Sequence, residues 1–133
     1  MKLEIVTPDG RAFADDVEMV TVPGAEGEMG IYPQHVPLMT QIAAGELVAR
    51  KDGHEILLAV GDGFIQVTGD RVSILTDMAM KADSIDEAKA EEARRRAEAR
   101  LSEKLDDEQA ALVQAALAQS TAQLKVAKRR GQR

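Results

Sequence analysis

The sequence has no cysteine and no tryptophan, and it holds one tyrosine and two phenylalanines. Without cysteine there is no disulfide framework, no thiolate metal site and no cysteine nucleophile. Aromatics make up 2% of the 133 residues while apolar residues make up 44%, so a core built from this chain is aliphatic. Long apolar runs are missing as well. Nothing approaches the roughly 18 residues that span a bilayer, and the opening MKLEIVTPDG lacks the apolar stretch of a signal peptide. The expectation is a soluble, intracellular chain with no direct membrane insertion. A basic surplus is also absent: the net charge of −6 argues against nucleic acid held through phosphate contacts. The length suits one ordinary domain, or a small domain with an appendage, and excludes most large enzyme folds.

Two further scarcities are local. Beyond residue 84 there is no proline and one glycine, Gly131, whereas Pro8, Pro23, Pro33, Pro37 and the other nine glycines all precede it. Residues 85–133 instead carry twelve alanines. Charge divides at the same place. Residues 1–84 hold 14 acids and 6 bases, a net of −8; residues 85–133 hold 9 acids and 11 bases, a net of +2. The division implies an all-β sandwich N-terminal domain over residues 1–84 followed by a C-terminal α-helical hairpin over residues 85–133.

In the first part, Lys2 to Thr7, Val17 to Val22, Gly45 to Arg50, Glu55 to Val60, Phe64 to Val67 and Val72 to Thr76 are rich in Val, Ile and Leu. Turn chemistry separates them at Pro8-Asp9-Gly10, Pro23-Gly24, Asp52-Gly53, Gly61-Asp62-Gly63 and Gly69-Asp70. Short strands at this spacing indicate a sandwich or barrel. In the second part, Ser84-Ile85-Asp86-Glu87 has the capping-box form and predicts a helix from residue 85, with Lys104 in its last turn. Glu91 to Arg95 and Glu92 to Arg96 are i,i+4 pairs worth about 0.2–0.5 kcal/mol each. Asp106-Asp107-Glu108 starts a second helix that ends in Lys125, Lys128, Arg129 and Arg130, with the turn near Leu105 to Asp107. The hairpin's seam sets Ala93, Ala97, Leu101 and Leu105 against Leu112, Ala116 and the series Val113, Leu117, Leu124. Alanine buries little apolar area, so such a seam stabilises weakly and the hairpin can detach. Straightened, the two helices would reach roughly 70 Å.

Catalytic constellations are scarce. His35 and His54 fall in no metal-ligand spacing, and neither a nucleophile elbow nor a phosphate-binding loop motif occurs. Gly61-Asp62-Gly63 lies between two strands, where a tight turn explains it. No enzyme, no metal site and no cofactor are expected. Two features exceed the needs of folding. One is the stretch Gly27 to Thr40, with two prolines, His35 and the sole tyrosine, which reads either as a structured loop with a satisfied histidine or as a docking loop. The other is the set of basic residues Arg94, Arg95, Arg96, Arg100, Lys125, Lys128, Arg129 and Arg130, which on a weakly seamed hairpin suits an acidic protein partner.

At these residues the chain resembles the epsilon-subunit family of the F-type ATP synthase. Glu26-Gly27-Glu28-Met29-Gly30-Ile31-Tyr32-Pro33-x-His35-x-Pro37-Leu38-Met39-Thr40 is similar to the family's most recognisable stretch. Ile5-Val6-Thr7-Pro8, Val60-Gly61-Asp62-Gly63-Phe64-Ile65-x-Val67 and Ile85-Asp86-Glu87-Ala88-Lys89-Ala90 follow in the family's order and spacing. The resemblance implies a non-catalytic central-stalk subunit on the cytoplasmic face of a bacterial plasma membrane. Its complex makes ATP from ADP and phosphate. The implied partners are the gamma subunit, the c-ring and the alpha/beta catalytic hexamer. Glu28 and His35 map onto the ring-facing loop. The resemblance implies that the extended hairpin blocks ATP hydrolysis, and by position and charge the eight basic residues above are the candidates for its contacts with beta and gamma. The family's nucleotide motif maps onto Ile85, Asp86, Lys89, Ala90 and Arg96. Lys89 stands where ATP-sensing members carry a bidentate arginine, and Gln119 and Gln123 stand where they carry further arginines, so weak ATP binding or none is expected. A stand-alone binding module that displays a helical hairpin to a client protein is the alternative.

Overall fold

The computed structural model describes residues 1–130. Ten strands come first: β1 (Lys2–Thr7), β2 (Gly10–Asp16), β3 (Met19–Gly24), β4 (Gly27–Ile31), β5 (Leu38–Ile42), β6 (Gly45–Lys51), β7 (His54–Val60), β8 (Gly63–Thr68), β9 (Arg71–Thr76) and β10 (Ala79–Lys81). A short 3-10 turn, Ala82–Ser84, leads to α1 (Glu87–Leu101) and α2 (Asp107–Arg130). This is the expected β-sandwich followed by a helical hairpin.

One layer runs β10-β7-β6-β3, and the other runs β5-β8-β9-β1-β2. Strand β3 joins them. It pairs with β6 through Met19 to Thr21, with β4 along most of its length, and meets β5 only where Gly24 faces Ile42. All pairs are antiparallel except β1 with β9. Between the layers lies an aliphatic core that includes Leu3, Ile5, Val20, Val22, Ile31, Leu47, Leu58, Val60, Ile65, Val67, Val72 and Ile74. Phe13 is its sole aromatic member; Tyr32 and Phe64 are exposed.

Strand β7 shows how the halves join. Its Leu57, Leu58, Ala59 and Val60 are all buried. Leu58 and Val60 face the sandwich core, while Leu57 and Ala59 face outward into a second cluster with Ala82, Ile85, Ala122, Val126 and Ala127. A continuous apolar run is what a strand covered on both faces requires. The cover is the last third of α2, with Val48, Met78 and Met80 filling the margin.

The helix signals are displaced from their expected positions. The cap of α1 is Asp86, whose carboxylate accepts the backbone N–H of Lys89 at 3.1 Å, and Ser84 belongs to the 3-10 turn. Ile85 stays extended because its side chain is buried in the second cluster, and that moves the helix start beyond it. Lys104 lies past the end of α1, so Arg100 is the basic residue of the last turn. The pairs Glu91–Arg95 and Glu92–Arg96 are not among the ion pairs of the described residues; Arg94 holds Glu91 and, at 2.6 Å, Glu98. A capping box does form at α2: Asp106 accepts from the N–H of Gln109 at 2.7 Å, and Gln109 accepts from the N–H of Asp106 at 3.2 Å. Of the apolar residues of the hairpin, Ala90, Ala97, Val113 and Leu124 are buried and Leu105 and Leu117 half-buried, while Leu101 and Leu112 are exposed. The seam is as thin as the alanine content implies.

Candidate docking surfaces

Three surfaces carry the residues that folding alone does not explain. The first is the base of the hairpin. Arg129, in the last turn of α2, pairs with Glu46 at the start of β6. Arg130 donates to the carbonyl oxygens of Ala82 and Ile85, the latter at 3.2 Å. Two of the eight expected contact residues therefore fasten the end of α2 to the sandwich and to the lead-in of α1.

The remaining six divide by partner. Arg94 is held by Glu91 and Glu98, and its hydrogen bond to Glu91 holds that carboxyl below the usual range while raising the guanidinium's own pKa. Arg100 lies 3.7 Å from Glu103. Arg95, Arg96, Lys125 and Lys128 are exposed. Arg96 and Arg100 border a cleft of about 320 Å³ between the helices, floored by Ala93, Ala97, Val113 and Ala116. The nucleotide-motif residues do not converge. Ile85 and Ala90 are buried, Asp86 caps the helix, Lys89 is exposed, and Arg96 lies two turns further along α1, roughly 10 Å from Lys89.

The second surface is the stretch around β4. Glu28 and His35 are separated here: Glu28 is exposed on β4, opposite Pro23 and beside the β3–β4 turn, and His35 lies in the loop past the strand's other end. They do not form one loop as the resemblance implies, because Glu28 to Ile31 are paired with β3 as a strand. His35 Nδ1 donates to the Val36 carbonyl at 2.8 Å, and the His35 N–H donates to the Tyr32 carbonyl at 3.2 Å. The histidine is satisfied, and the loop it braces displays Tyr32 and Val36 to solvent.

The third surface was not found from sequence. On the outer face of the second layer, Phe64 stands opposite Leu75, and Leu75 stands opposite Val6 across the parallel pair. Met39, on β5, lies diagonal to Phe64 through the Gln41–Phe64 pairing. Met39, Phe64 and Leu75 are 69%, 54% and 60% exposed, an apolar stripe of the kind that marks an interaction site. Strict alternation in β8 and β9 signals it: Ile65 and Ile74 turn inward, so Phe64 and Leu75 must turn out.

Among the described residues no group of histidine and carboxylate side chains could hold a metal ion, and no helix is long and apolar enough to cross a membrane. Residues 1–82 match the family described as ATP synthase, Delta/Epsilon chain, beta-sandwich domain, and residues 83–128 match its long alpha-helix domain. An ATP synthase epsilon chain of Dehalococcoides mccartyi is 45% identical over 131 residues, covering 98% of this chain and 94% of that one. An epsilon chain of Herpetosiphon aurantiacus is 41% identical over 133 residues, covering 100% and 98%. A chain in the cryo-EM structure of Euglena gracilis mitochondrial ATP synthase, in a complex that includes the c-ring, superposes with a TM-score of 0.76 at 26% identity, covering 95% of this chain and 79% of that one. With both halves matched in order and relatives above 40% identity along nearly the whole length, the chain belongs to the delta/epsilon family of the ATP synthase.

Proposed function

We propose that this chain is a non-catalytic central-stalk subunit of a proton-translocating F-type ATP synthase, in which residues 1–84 dock and residues 85–133 switch. The observation that carries it is the separation of two surfaces. The hairpin covers the outer face of β6 and β7, while the apolar stripe Met39, Phe64, Leu75 and Val6 lies on the other layer and stays open. A sandwich can therefore remain bound through the stripe whether or not the hairpin is docked. The gamma subunit is the proposed occupant of the stripe. The c-ring is the proposed neighbour of Glu28 and of His35 with its exposed loop, in a complex peripheral to the cytoplasmic face of a bacterial membrane.

The hairpin supplies regulation. Release from the sandwich frees Arg129 and Arg130, and the hairpin carries Arg94, Arg95, Arg96, Arg100, Lys125 and Lys128 with them to acidic surfaces of the beta subunits and to gamma, where the inserted helices oppose rotation in the hydrolysis direction. Shifting a population from 1:99 to 99:1 takes about 5.5 kcal/mol of differential stabilisation, a modest sum for an alanine seam set against charge contacts. Ile85, Asp86, Lys89, Ala90 and Arg96 are proposed to bind ATP weakly or not at all. Deleting residues 85–133 and assaying the assembled complex tests the regulatory half: ATP hydrolysis should rise while assembly persists, and unchanged hydrolysis would refute inhibition by the hairpin.

A further inference from the structure

We propose that Glu46 is the catch that sets the hairpin's resting position, and that Arg129 and Arg130 serve the docked state and an acidic partner surface alternately. This rests on the reading of the chain as a subunit whose hairpin moves. The grip of α2 on the sandwich is confined to its last third, where Ala122, Val126 and Ala127 are small and non-directional. Direction comes from the two arginines. Glu46 sits on the outer face of β6 beside Val48, with its side chain 8% exposed, and Arg129 pairs with its Oε1. Arg130 bridges the carbonyls of Ala82 and Ile85, tying the end of α2 to the lead-in of α1.

The catch is built to open. Glu46 Oε2 is buried with no hydrogen-bond partner among the described residues, so docking leaves half of a carboxylate desolvated and unpaired. That penalty is returned when the hairpin leaves and water reaches the group. Undocking also changes what α2 displays. Docked, its C-terminal end offers the exposed Lys125 and Lys128 with Arg129 and Arg130 occupied; undocked, all four cations are free. An acidic surface thus competes with Glu46 for the Arg129 guanidinium and with the Ala82 and Ile85 carbonyls for that of Arg130.

Amide hydrogen exchange on the isolated full-length chain tests the catch without assembly of the complex. Glu46→Gln and Arg129→Gln should each raise exchange over residues 122–130 about tenfold, as loss of the charge pairing behind this hydrogen bond implies, with the strands of the sandwich unchanged. The double variant should exchange no faster than the faster single variant. Unchanged exchange in both single variants, or effects that multiply as at independent sites, would overturn the catch. Labelled poly-glutamate is the acidic probe for the second half: it should bind the Glu46→Gln chain about tenfold more tightly than the unsubstituted chain, and equal binding would overturn the alternate use of the arginines. If the inhibitory role fails instead, exchange and probe binding still respond to Glu46→Gln while hydrolysis by the complex ignores the hairpin.

Discussion

The carboxylate of Asp86 accepts the backbone N–H of Lys89 at 3.1 Å, so the acid that the resemblance assigns to nucleotide binding caps α1. Its neighbour Ile85 is buried against α2. Asp86→Ala should cost the first turn of α1 about 1 kcal/mol, seen as faster amide exchange at its N-terminus. Calorimetry of the unsubstituted chain with ATP should show no micromolar binding; micromolar affinity would mean that the capping acid and Lys89 can be recruited to a ligand.

Asp15 on β2 and Lys51 at the end of β6 are 2.7 Å apart and 36 residues apart in sequence. The hydrogen bond from Lys51 holds the Asp15 carboxyl below its usual range and raises the ammonium's pKa in return. Because the folded-state pKa of Asp15 is depressed, its contribution is complete above the ordinary carboxylate value of about 3.9 and fades as pH falls through the folded value. That of Lys51 is complete below about 10.4 and fades as pH rises through the folded value. Both groups are partly exposed, so the effect is small. Asp15→Asn should lower stability slightly at neutral pH, and the difference should disappear in acid; urea titrations across pH check it.

Gly61-Asp62-Gly63 is a tight passage against Leu75 to Asp77 and not a phosphate cradle. A Cβ on Gly63 would lie 1.9 Å from the carbonyl oxygen of Leu75, and one on Gly61 would lie 1.8 Å from Asp77 Oδ1. Between them Asp62 accepts the Ala44 N–H at 3.0 Å through its side chain and the Thr76 hydroxyl at 3.0 Å through its carbonyl. Gly63→Ala should cost at least about 2 kcal/mol, since the obstacle is backbone. Gly30→Ala, whose Cβ would meet only the end of Met19 at 3.5 Å, should stay within about 0.5 kcal/mol. Denaturant unfolding of the two variants checks the contrast.

Leu57 belongs to the docking cluster and not to the sandwich core. Leu57→Ala should weaken docking of α2 by about 2 kcal/mol, the low end of such truncations, because Met78 and Met80 can shift into the space. Faster exchange confined to α2 is the expected result. Equal loss of protection in β1, β8 and β9 would show that the two clusters are not separable.

Strands carried by β-branched residues were legible, and so were both helices. Strand β2 was not: Arg-Ala-Phe-Ala-Asp-Asp buries only Phe13, and pairing with β1 supplies what its composition does not. The start of α1 was misplaced because Ser84 and Asp86 both suit a cap, and the burial of Ile85, a tertiary contact, decides between them. The basic residues of the hairpin were visible as a composition, but the partner of Arg129 lies 83 residues away on β6. The apolar stripe was written in the alternation of single strands. Its continuity depends on the parallel neighbourhood of β1 and β9, which no local pattern discloses.

The most direct test is to lock the hairpin. The chain has no cysteine of its own, so one cysteine on the outer face of β7 and one on the facing side of α2 would form a single disulfide that holds the docked state. Complexes carrying the locked chain should hydrolyse ATP as fast as complexes lacking residues 85–133, and reduction should restore inhibition. Inhibition that persists with the disulfide closed would contradict a hairpin that regulates by leaving the sandwich.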